Sequence, residues 1–486
     1  MTFYVTTAIP YVNAPPHLGH ALELVQADVL ARHRRLRGEA VRFLTGTDDN
    51  ALKNVTAARA AGVSLRAFVG GNGDRFAALR EPLELSFDDF IRTGSDPRHA
   101  PGVTALWRRS APDFYRHSYT GLYCAGCEQF LDGAGCAEHP AAPERVAETN
   151  WFFRLSRYER RILGALESGQ VRVEPAARRN EVLAFIRSGL RDISVSRPAA
   201  RADGWGIPVP DDPDQVIYVW WDALANYVTA LGDGADLRSW WLAPGERVHV
   251  IGKGIVRFHA VYWLALLLSA GLPLPTTILV HDYLTVDGAK LSKSAGNAVD
   301  PVTLADRYGV DALRWWLLSE VAPVGDTDFT VERLVARADR DLANGIGNLV
   351  NRTVSLARRH GAVRAAAVPS ELPERIDAAL TTGDFRAATA ALWAEVDRGN
   401  RLIEAAQPWK LAEPAPVLAE VLGSCRVLAD ELRPFLPSGA ERLRAQLRAD
   451  GPPRPVFPRL GAAASQVRPA RPTYPPPPST RLKPSR

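Results

Sequence analysis

Residues 2–49 read TFYVTTAIPYVNAPPHLGHALELVQADVLARHRRLRGEAVRFLTGTDD. Residues 2–9 are rich in β-branched and aromatic side chains, which favours a strand, and a proline-containing run then breaks the pattern. Residues 21–35 carry apolar side chains at helical spacing, Gly38 ends that helix, and a second strand begins at Val41. The order strand, helix, strand predicts a βαβ unit and therefore a parallel sheet.

The motif HLGH, residues 17–20, lies at the predicted start of this helix. Backbone N–H groups and the dipole at a helix N-terminus favour anions, and two imidazoles there suit phosphate groups and a pentacoordinate transition state. The sequence thus predicts that His17 and His20 act on a nucleotide. A short motif occurs often by chance, so the structural alternative is a histidine that caps the helix beside a core histidine.

A second motif, KLSKS at residues 290–294, follows a β-rich run over 277–286. It places Lys290 and Lys293 on a small-residue segment that can close over a triphosphate and add positive charge as pyrophosphate leaves. Alone, such a segment is usually a solvated turn. Together with HLGH, in this order and with a long insertion between them, it resembles the class I aminoacyl-tRNA synthetases, from about residue 3 to about residue 445.

Within that class the chain resembles the methionyl-tRNA synthetases. The stretches that carry the resemblance are AIPYVNAPPHLGH, LRDISVSRPAARADGWGIPVP, IYVWWDALANY, GIVRFHAVYW and AAQPWKLA. The resemblance implies ATP-dependent activation of L-methionine to methionyl-adenylate, with Mg²⁺ accompanying ATP, and transfer to tRNA(Met). Two alternatives are an adenylate-forming paralogue for another amino acid or acceptor, and a non-catalytic tRNA-binding pseudo-synthetase.

The resemblance also implies roles for individual residues. Catalytic groups would be His17, His20, Lys290 and Lys293, and ATP would also contact Gly252 and Ser292. Asp48, after the second strand, would hold the α-ammonium group of methionine. The rest of the methionine pocket would be aromatic and apolar, as a thioether requires, with ordinary core packing as the alternative for each aromatic ring. Its residues would be Ile9, Tyr11, Trp220, Ala223, Leu224, Tyr227, Ile255, His259 and Trp263.

Three of the four cysteines form one cluster. Cys124 and Cys127 have CxxC spacing, Cys136 follows, and His139 completes a Cys₃His set, which is typical of a structural tetrahedral zinc site. A disulfide is the alternative, although no secretory signal is visible. The fourth cysteine, Cys425, lies in an apolar helical stretch and is predicted to be buried packing.

The sequence pattern divides the chain into five segments. The first half of an α/β, Rossmann-like parallel-sheet catalytic domain is predicted at 1–110, and an insertion with the zinc knuckle at 111–205. The second half of the sheet domain follows at 206–330. Helical periodicity without strand signals then predicts an all-α anticodon-binding bundle at 331–450. The Pro- and Arg-rich segment 451–486 is predicted to be disordered.

The resemblance places anticodon recognition in the bundle. Trp409 would stack on an unpaired base and Arg359 would contact base or phosphate; an interhelical core position is the alternative for Trp409. The net charge of +5 is compatible with a polyanionic partner. The longest apolar run, at 262–270, is too short for a membrane span, so we predict a soluble cytoplasmic protein, and we expect a monomer.

The chain departs from the pattern of the family at several positions. Residues 48–51 are DDNA where the resemblance leads us to expect DEHG. Gly254 stands in place of the aspartate of a GKD motif, Leu291 in place of a methionine, and Ser355 in place of an asparagine. Asn50 and Gly254 alter hydrogen-bonding groups near the expected ligands, whereas Leu291 conserves volume.

Overall fold

The structure is a computed structural model that describes residues 2–124, 129–131, 135, 142–290, 299–361, 363–449 and 451–461. In chain order the strands are β1 (Thr2–Thr7), β2 (Ala40–Thr47), β3 (Asp89–Arg92), β4 (Phe114–Cys124), β5 (Gln129–Leu131), β6 (Glu144–Phe153), β7 (Arg172–Glu174), β8 (Ile193–Ser194), β9 (Ser196–Pro198), β10 (Pro208–Val209), β11 (Asp212–Ile217), β12 (Gly245–Gly252), β13 (Thr277–His281), β14 (Leu284–Val286), β15 (Ala289–Lys290) and β16 (Thr327–Asp328). The α-helices are α1 (Leu18–Leu36), α2 (Leu52–Ala61), α3 (Leu65–Ala77), α4 (His99–Arg109), α5 (Glu159–Glu167), α6 (Ala176–Arg187), α7 (Val219–Thr229), α8 (Leu264–Ser269), α9 (Pro301–Tyr308), α10 (Val310–Ser319), α11 (Val331–Arg337), α12 (Asn348–Arg359), α13 (Leu372–Thr381), α14 (Phe385–Ala406), α15 (Ala415–Glu431) and α16 (Pro437–Arg448). Segments of π-helix are Leu237–Leu242, Phe258–Trp263 and Ala338–Gly347, and short 3₁₀ helices are Ala78–Arg80, Ala111–Asp113, Leu155–Tyr158, Ala199–Ala202, Lys253–Ile255 and Pro408–Lys410.

A six-stranded parallel sheet forms the centre of the catalytic domain, with strand order β3-β2-β1-β12-β13-β7. The predicted βαβ unit is confirmed as β1, α1 and β2. Gly38 follows the end of α1 with a φ of 81°, a left-handed conformation that glycine adopts without strain. The α/β prediction for this domain is therefore confirmed.

The strand order reverses beside β1. On one side β1 pairs with β2, which follows it in the chain, and on the other side it pairs with β12, which comes some 240 residues later. At such a reversal, the loops that follow the two neighbouring strands run in opposite directions, and this leaves a crevice at the carboxyl ends of the strands. The sequence motifs of both halves of the chain meet at this edge.

The insertion contributes its own antiparallel sheet, in the order β5-β4-β6-β8. One element differs from the predicted organisation: β7 lies within residues 111–205 but pairs in parallel with β13 at the edge of the catalytic sheet. Strand β7 has only three residues, and an alternation of apolar and polar side chains over so few positions cannot be distinguished from a loop. The catalytic sheet therefore takes a strand from the stretch assigned to the insertion.

Helices α11 to α16 form the predicted all-α region. The first part of this region consists of α11, the π-helical segment Ala338–Gly347 and α12, which follow one another without a break. Cys425 is fully buried, as predicted, with its Sγ 3.9 Å from Thr353 Oγ1. No helix of the described ranges has the length and apolar character needed to cross a bilayer.

Helix α1 connects the sheet edge to this bundle. It begins at the HLGH motif, and near its end Arg37 donates two hydrogen bonds to Glu431 of α15, at 2.8 and 2.7 Å. Farther inside, the fully buried Arg314 donates to Asp28 of α1 at 2.8 Å and to the carbonyl oxygen of Phe435 at 2.8 Å. These charge-assisted bonds fix the orientation of α1 against the bundle.

The prediction of disorder from residue 451 onward is wrong for residues 451–461. Phe457 is 4% exposed and packs where Gly347 and Gly439 leave space for its ring. The backbone N–H of Leu460 donates to Asp339 at 2.6 Å. The composition is proline-rich, but one aromatic side chain with a glycine-lined recess suffices to hold this stretch on the bundle. Residues 462–486 lie outside the described residues.

Candidate active site

A cavity of about 320 Å³ opens at the carboxyl edge of the parallel sheet. The ends of β1, β2, β12 and β13 and the starts of α1 and α7 supply its walls. Nine residues of the predicted methionine-binding set line it, namely Ile9, Tyr11, Asp48, Trp220, Ala223, Leu224, Tyr227, Ile255 and His259. His17, His20 and Gly252 of the predicted nucleotide-binding set line the same cavity.

The HLGH motif forms the first turn of α1. His17 is the N-cap, and its Nδ1 accepts a hydrogen bond from the backbone N–H of Gly19 at 3.1 Å. The Nδ1 of His20 accepts from the backbone N–H of His17 at 3.1 Å, and the two rings stack with centroids 3.8 Å apart. A side chain at Gly19 would start 3.0 Å from the His17 ring, which is why a glycine suits this position.

These bonds determine which ring nitrogens carry protons. Because Nδ1 of both His17 and His20 accepts from a backbone N–H, the proton of each neutral ring is on Nε2, where it can be donated. Capping, which was the structural alternative for the sequence, is therefore compatible with the predicted anion binding: one ring nitrogen stabilises the helix and the other carries a proton. Both histidines are half-buried, and neither is a core residue.

Of the KLSKS motif, the structure describes only the backbone of Lys290. Lys290 ends β15, whose backbone pairs with Thr285, and its side chain, with Ser292 and Lys293, lies outside the described residues. The chain is described again at Val299, whose carbonyl oxygen accepts from the backbone N–H of Leu18 at 2.9 Å. Val299, five residues after the end of the KLSKS motif, thus contacts the HLGH motif directly.

A buried ion pair in the cavity wall was missed by the sequence analysis. Glu23 of α1 and His281 at the end of β13 both line the cavity, and Oε2 of Glu23 is 3.1 Å from Nε2 of His281. Burial opposes the charged imidazolium, but the hydrogen bond and charge of Glu23 raise the pKa of His281 overall. Glu23 is three residues after His20, so helical spacing was the available signal.

Asp48 is held rigidly at the end of β2. It is 1% exposed, its Oδ1 accepts from the backbone N–H of Asn50 at 3.1 Å, and its own N–H donates to the carbonyl oxygen of Pro10 at 2.9 Å. The amide of Asn54, another residue that the sequence analysis missed, donates to the carbonyl oxygens of Asp48 and Asp49 at 3.0 and 2.9 Å. The carboxylate is therefore oriented before any ligand binds.

On the opposite side of the cavity, polar groups satisfy one another. The Nδ1 of His259 donates to the carbonyl oxygen of Ile255 at 3.0 Å, so its Nε2 accepts from the hydroxyl of Tyr227 at 2.7 Å. Burial lowers the pKa of His259 to about 4, which keeps the ring neutral. Burial also raises the pKa of Tyr227, so its hydroxyl stays protonated. The pair formed by Tyr227 and His259 is therefore neutral and leaves no donor of its own that a ligand must satisfy.

Trp263 does not line the cavity, in contrast to its predicted role. It is fully buried behind Tyr227, and its Nε1–H donates to Nε2 of His249 at 3.0 Å. The Nδ1 of His249 in turn bonds Thr6 Oγ1 at 2.7 Å. Helical spacing from His259 places Trp263 on the same helix face, but Tyr227 lies between this indole and the cavity. Its role is to support the ring in front of it.

Trp220 forms a face of the cavity. Its ring stacks on Phe258 with centroids 3.5 Å apart, and no hydrogen-bond partner for its Nε1 exists among the residues that the structure describes. Phe258 was missed by the sequence analysis because it lies one layer below the cavity. The stack fixes the plane of the indole, so it can form a flat apolar wall.

Each departure from the family pattern has a defined contact. Asn50 donates from Nδ2 to Asp222 at 2.7 Å. Gly254 lines the cavity, and the neighbouring Lys253 forms an ion pair with Asp326 at 2.6 Å. Ser355 donates its hydroxyl to a backbone carbonyl one turn earlier in α12, at 2.7 Å. Leu291 lies outside the described residues.

The predicted anticodon residues are on the surface of the bundle. Trp409 is 48% exposed, so the interhelical core interpretation of this tryptophan is wrong. The guanidinium of Arg352 lies 5.6 Å from the centre of its ring. Arg359, in the last turn of α12, is exposed. An exposed indole beside the guanidinium group of Arg352 is a suitable surface for an unpaired base.

The proposed zinc ligands are mostly beyond the described part of the chain. Cys124 is the last residue of β4, is 3% exposed, and pairs with Gln129 of β5 across an antiparallel ladder. Cys127, Cys136 and His139 lie outside the described residues, and the described ranges by themselves contain no group of side chains that could hold a metal ion.

Comparison with known proteins agrees with this geometry. The family profile described as "tRNA synthetases class I (M)" matches residues 3–137 and 132–354. The methionine--tRNA ligase of Brucella suis is 40% identical over 475 residues, covering 91% of this chain and 90% of that protein. The enzyme of that name from Thermosynechococcus vestitus is 40% identical over 481 residues, covering 92% and 90%.

Solved structures give the same result. Mycobacterium tuberculosis methionyl-tRNA synthetase in complex with methionyl-adenylate matches with a TM-score of 0.86 and 37% identity, covering 94% of this chain and 100% of that one. The free form of the M. tuberculosis enzyme matches with a TM-score of 0.80 and 35% identity, covering 94% and 98%. The chain therefore belongs to the class I aminoacyl-tRNA synthetases of the methionyl type.

Proposed function

We propose that the chain activates L-methionine with ATP to methionyl-adenylate and transfers the methionyl group to tRNA(Met). The observation that carries this proposal is the single cavity, in which a histidine pair at a helix N-terminus, a buried aspartate and a neutral aromatic wall face one space. The named relatives, all methionine--tRNA ligases, do not favour the alternatives of another amino acid or a non-catalytic protein.

In the first step the methionine carboxylate attacks the α-phosphorus of ATP and pyrophosphate leaves. The Nε2–H groups of His17 and His20 donate to phosphate oxygens as negative charge develops, with the N-terminal dipole of α1 behind them. Lys290 and Lys293 neutralise the leaving pyrophosphate, while Ser292 and Gly252 contact the nucleotide. Mg²⁺ enters as the counter-ion of ATP. No side chain forms a covalent bond.

Methionine binds between two unlike walls. Its ammonium group pairs with the preoriented carboxylate of Asp48, and its thioether packs against Tyr227, His259 and Trp220. Because the hydroxyl of Tyr227 and the imidazole of His259 already bond each other, an apolar side chain leaves neither group unpaired. A lysine or glutamate side chain would bury a charge with no partner on this neutral wall.

In the second step the terminal 2′-OH of tRNA attacks the adenylate carbonyl, and AMP leaves. Recognition of the anticodon takes place on the bundle, where Trp409 stacks on a base and Arg359 contacts base or phosphate. The domain organisation separates the two tasks: residues 1–110 and 206–330 bind the small substrates, and residues 331–450 bind the anticodon.

We also assign a structural zinc ion to the insertion, held by Cys124, Cys127, Cys136 and His139. Three thiolates and one imidazole form a closed tetrahedral set, and Cys124, which is buried at the end of β4, supplies a fixed anchor. Elemental analysis should find one zinc per chain, and Cys124→Ser should abolish it. Light scattering should give the mass of a monomer, and localisation of a tagged chain should find it in the cytoplasm.

ATP/pyrophosphate exchange with each of the twenty amino acids tests the proposal, followed by charging of initiator and elongator tRNA(Met). We expect exchange with methionine alone and charging of both tRNAs. Exchange with a different amino acid would replace methionine as the substrate. Absence of exchange together with tRNA binding would establish a non-catalytic protein.

A further inference from the structure

Behind the cavity lies a chain of buried polar groups that the activation chemistry does not use. Asp222 is fully buried, and both of its carboxylate oxygens are occupied: Oδ1 lies 2.5 Å from Nε2 of His99, and Oδ2 accepts from Nδ2 of Asn50 at 2.7 Å. His99 is also fully buried, and its Nδ1 is 2.7 Å from Thr229 Oγ1. None of the four side chains lines the cavity.

Asn50 connects this chain to the carboxylate that faces the substrate. Its backbone N–H donates to Oδ1 of Asp48 at 3.1 Å, while its side chain also reaches the carbonyl oxygen of Thr93 at 3.4 Å. The orientation of Asp48 therefore depends on where the backbone of Asn50 lies, and the amide of Asn50 is fixed from two directions.

Asp222 connects the same chain to the opposite wall. It lies in α7, which supplies Trp220, Ala223, Leu224 and Tyr227 to the cavity. The bond between Asn50 and Asp222 thus joins the loop after β2 to α7, across the back of the space between the two walls. The length of this hydrogen bond therefore contributes to the distance between the carboxylate of Asp48, which binds the ammonium group, and the wall that binds the thioether.

We infer that Asn50 and Asp222 form a positioning pair that sets the width of the amino-acid pocket and, through it, selectivity for the length of the substrate side chain. The inference rests on the proposed function, since it concerns the same cavity. Asn50 stands where the family pattern has a histidine, and either side chain can donate a hydrogen bond to a buried carboxylate. In this chain the donor to the buried carboxylate of Asp222 is the amide of Asn50.

Asn50→Leu tests the pair, because leucine has a similar size and cannot donate. Without this hydrogen bond the loop after β2 is no longer held against α7, so we expect the KM for methionine in pyrophosphate exchange to rise about tenfold, which corresponds to about 1.4 kcal/mol. The KM for ATP and the kcat should stay near those of the unaltered chain. The preference for methionine over ethionine, which is one methylene longer, should fall because the walls are no longer held at a fixed separation.

Two further variants separate positioning from general stability. Asn50→His restores a donor and should recover both the KM for methionine and the preference over ethionine. Asn150→Leu removes a fully buried asparagine in the insertion, whose amide donates to Glu148 at 3.0 Å, and should change only the melting temperature. Circular dichroism establishes that each variant is folded.

The outcomes are distinguishable. An unaltered chain that shows no methionine-dependent exchange would refute the proposed function. If the unaltered chain does exchange, then an unchanged methionine KM and an unchanged ethionine preference in Asn50→Leu would overturn the positioning pair alone. A uniform loss of kcat with both KM values unchanged, not recovered by Asn50→His, would also overturn it.

Discussion

The two ends of the active-site cavity achieve recognition by opposite means. At the nucleotide end, His17 and His20 use one nitrogen each to hold the helix and keep the other as a donor. At the wall that faces the methionine side chain, Tyr227 and His259 satisfy each other and remain neutral. The nucleotide end offers hydrogen-bond donors, and the side-chain wall offers shape.

The difference follows from the chemistry of the two substrates. A triphosphate carries charge that grows at the leaving group, so donors aimed at it lower the barrier. A thioether has neither charge nor a strong donor, so any unsatisfied polar group opposite it would cost free energy. Substitutions at the nucleotide end should therefore change rates, whereas substitutions at the amino-acid end should change affinity and selectivity.

The largest effect should come from His20→Ala. Removal of one preoriented donor to a developing charge lowers a rate by about 10²- to 10³-fold, and the KM for methionine should change little because this ring is at the nucleotide end. Rapid-quench measurement of adenylate formation checks the rate. The exposed His117→Ala in the insertion is the matched control and should keep the normal rate.

Tyr227→Phe should produce the reverse pattern. Nε2 of His259 would lose its donor and face the substrate unpaired, at a cost of about 1 to 3 kcal/mol, so the KM for methionine should rise by about 5- to 150-fold while the ATP dependence holds. Steady-state pyrophosphate exchange at varied concentrations of methionine and of ATP measures the KM for methionine and the ATP dependence. Tyr115→Phe, on the insertion sheet, serves as control. A fall in kcat without a change in KM would contradict the assignment of this wall to the amino acid.

The geometry of the HLGH motif follows from the sequence more directly than that of the amino-acid wall, for a physical reason. HLGH is a local motif, in which one helix turn fixes both rings, so its geometry follows from neighbouring residues. The amino-acid wall is assembled from β1, α7 and the π-helical segment Phe258–Trp263. Tertiary packing therefore decides which of its side chains reach the cavity and which lie behind them. The resemblance therefore supplied the correct region, but it could not tell that Trp263 lies behind Tyr227 or that Phe258 supports Trp220.

Dependence on tertiary packing also explains the other features that the sequence analysis did not predict. β7 is too short to give a pattern, and its place in the sheet depends on β13, which is some 100 residues later. Residues 451–461 are held by Phe457 in a recess formed by two glycines from different helices. Glu23 and His281 are distant in sequence, and only the parallel sheet brings them together.

A substitution outside the cavity sharpens the comparison further. Trp409→Ala should leave adenylate formation at its normal rate and raise the KM for tRNA in the charging reaction by about 5- to 150-fold, since stacking on a base contributes about 1 to 3 kcal/mol. Its exposed neighbour Leu411→Ala should have a much smaller effect. If activation and charging fell together in Trp409→Ala, the residue would be acting on folding instead.

The smallest effect concerns stability and pH at Asp49, beside the substrate-facing Asp48. Burial raises the pKa of Asp49 to about 6, with Asp222 adding to the shift. Below the ordinary value of 3.8 the carboxyl is protonated in both folded and unfolded chains; as pH rises through 6 the folded state must bear a buried charge and loses stability.

Asp49→Asn should therefore raise the free energy of unfolding at pH 7.5 by about 1 to 3 kcal/mol, and the gain should shrink toward pH 4. Urea denaturation across this pH range measures it. The exposed Asp233→Asn should leave the pH profile unaltered. A constant difference between Asp49→Asn and the unaltered chain at every pH would contradict the buried-charge explanation.

The most direct test of the account is a crystal structure with methionine and the ATP analogue that has a methylene group between its α- and β-phosphorus atoms, because attack on the α-phosphorus cannot break that bridge. We predict phosphate oxygens within hydrogen-bond distance of Nε2 of both His17 and His20, with the ammonium groups of Lys290 and Lys293 around the same triphosphate. The methionine sulfur should lie against Tyr227 and His259. A triphosphate bound elsewhere, with the two histidines and the two lysines facing different spaces, would contradict the account.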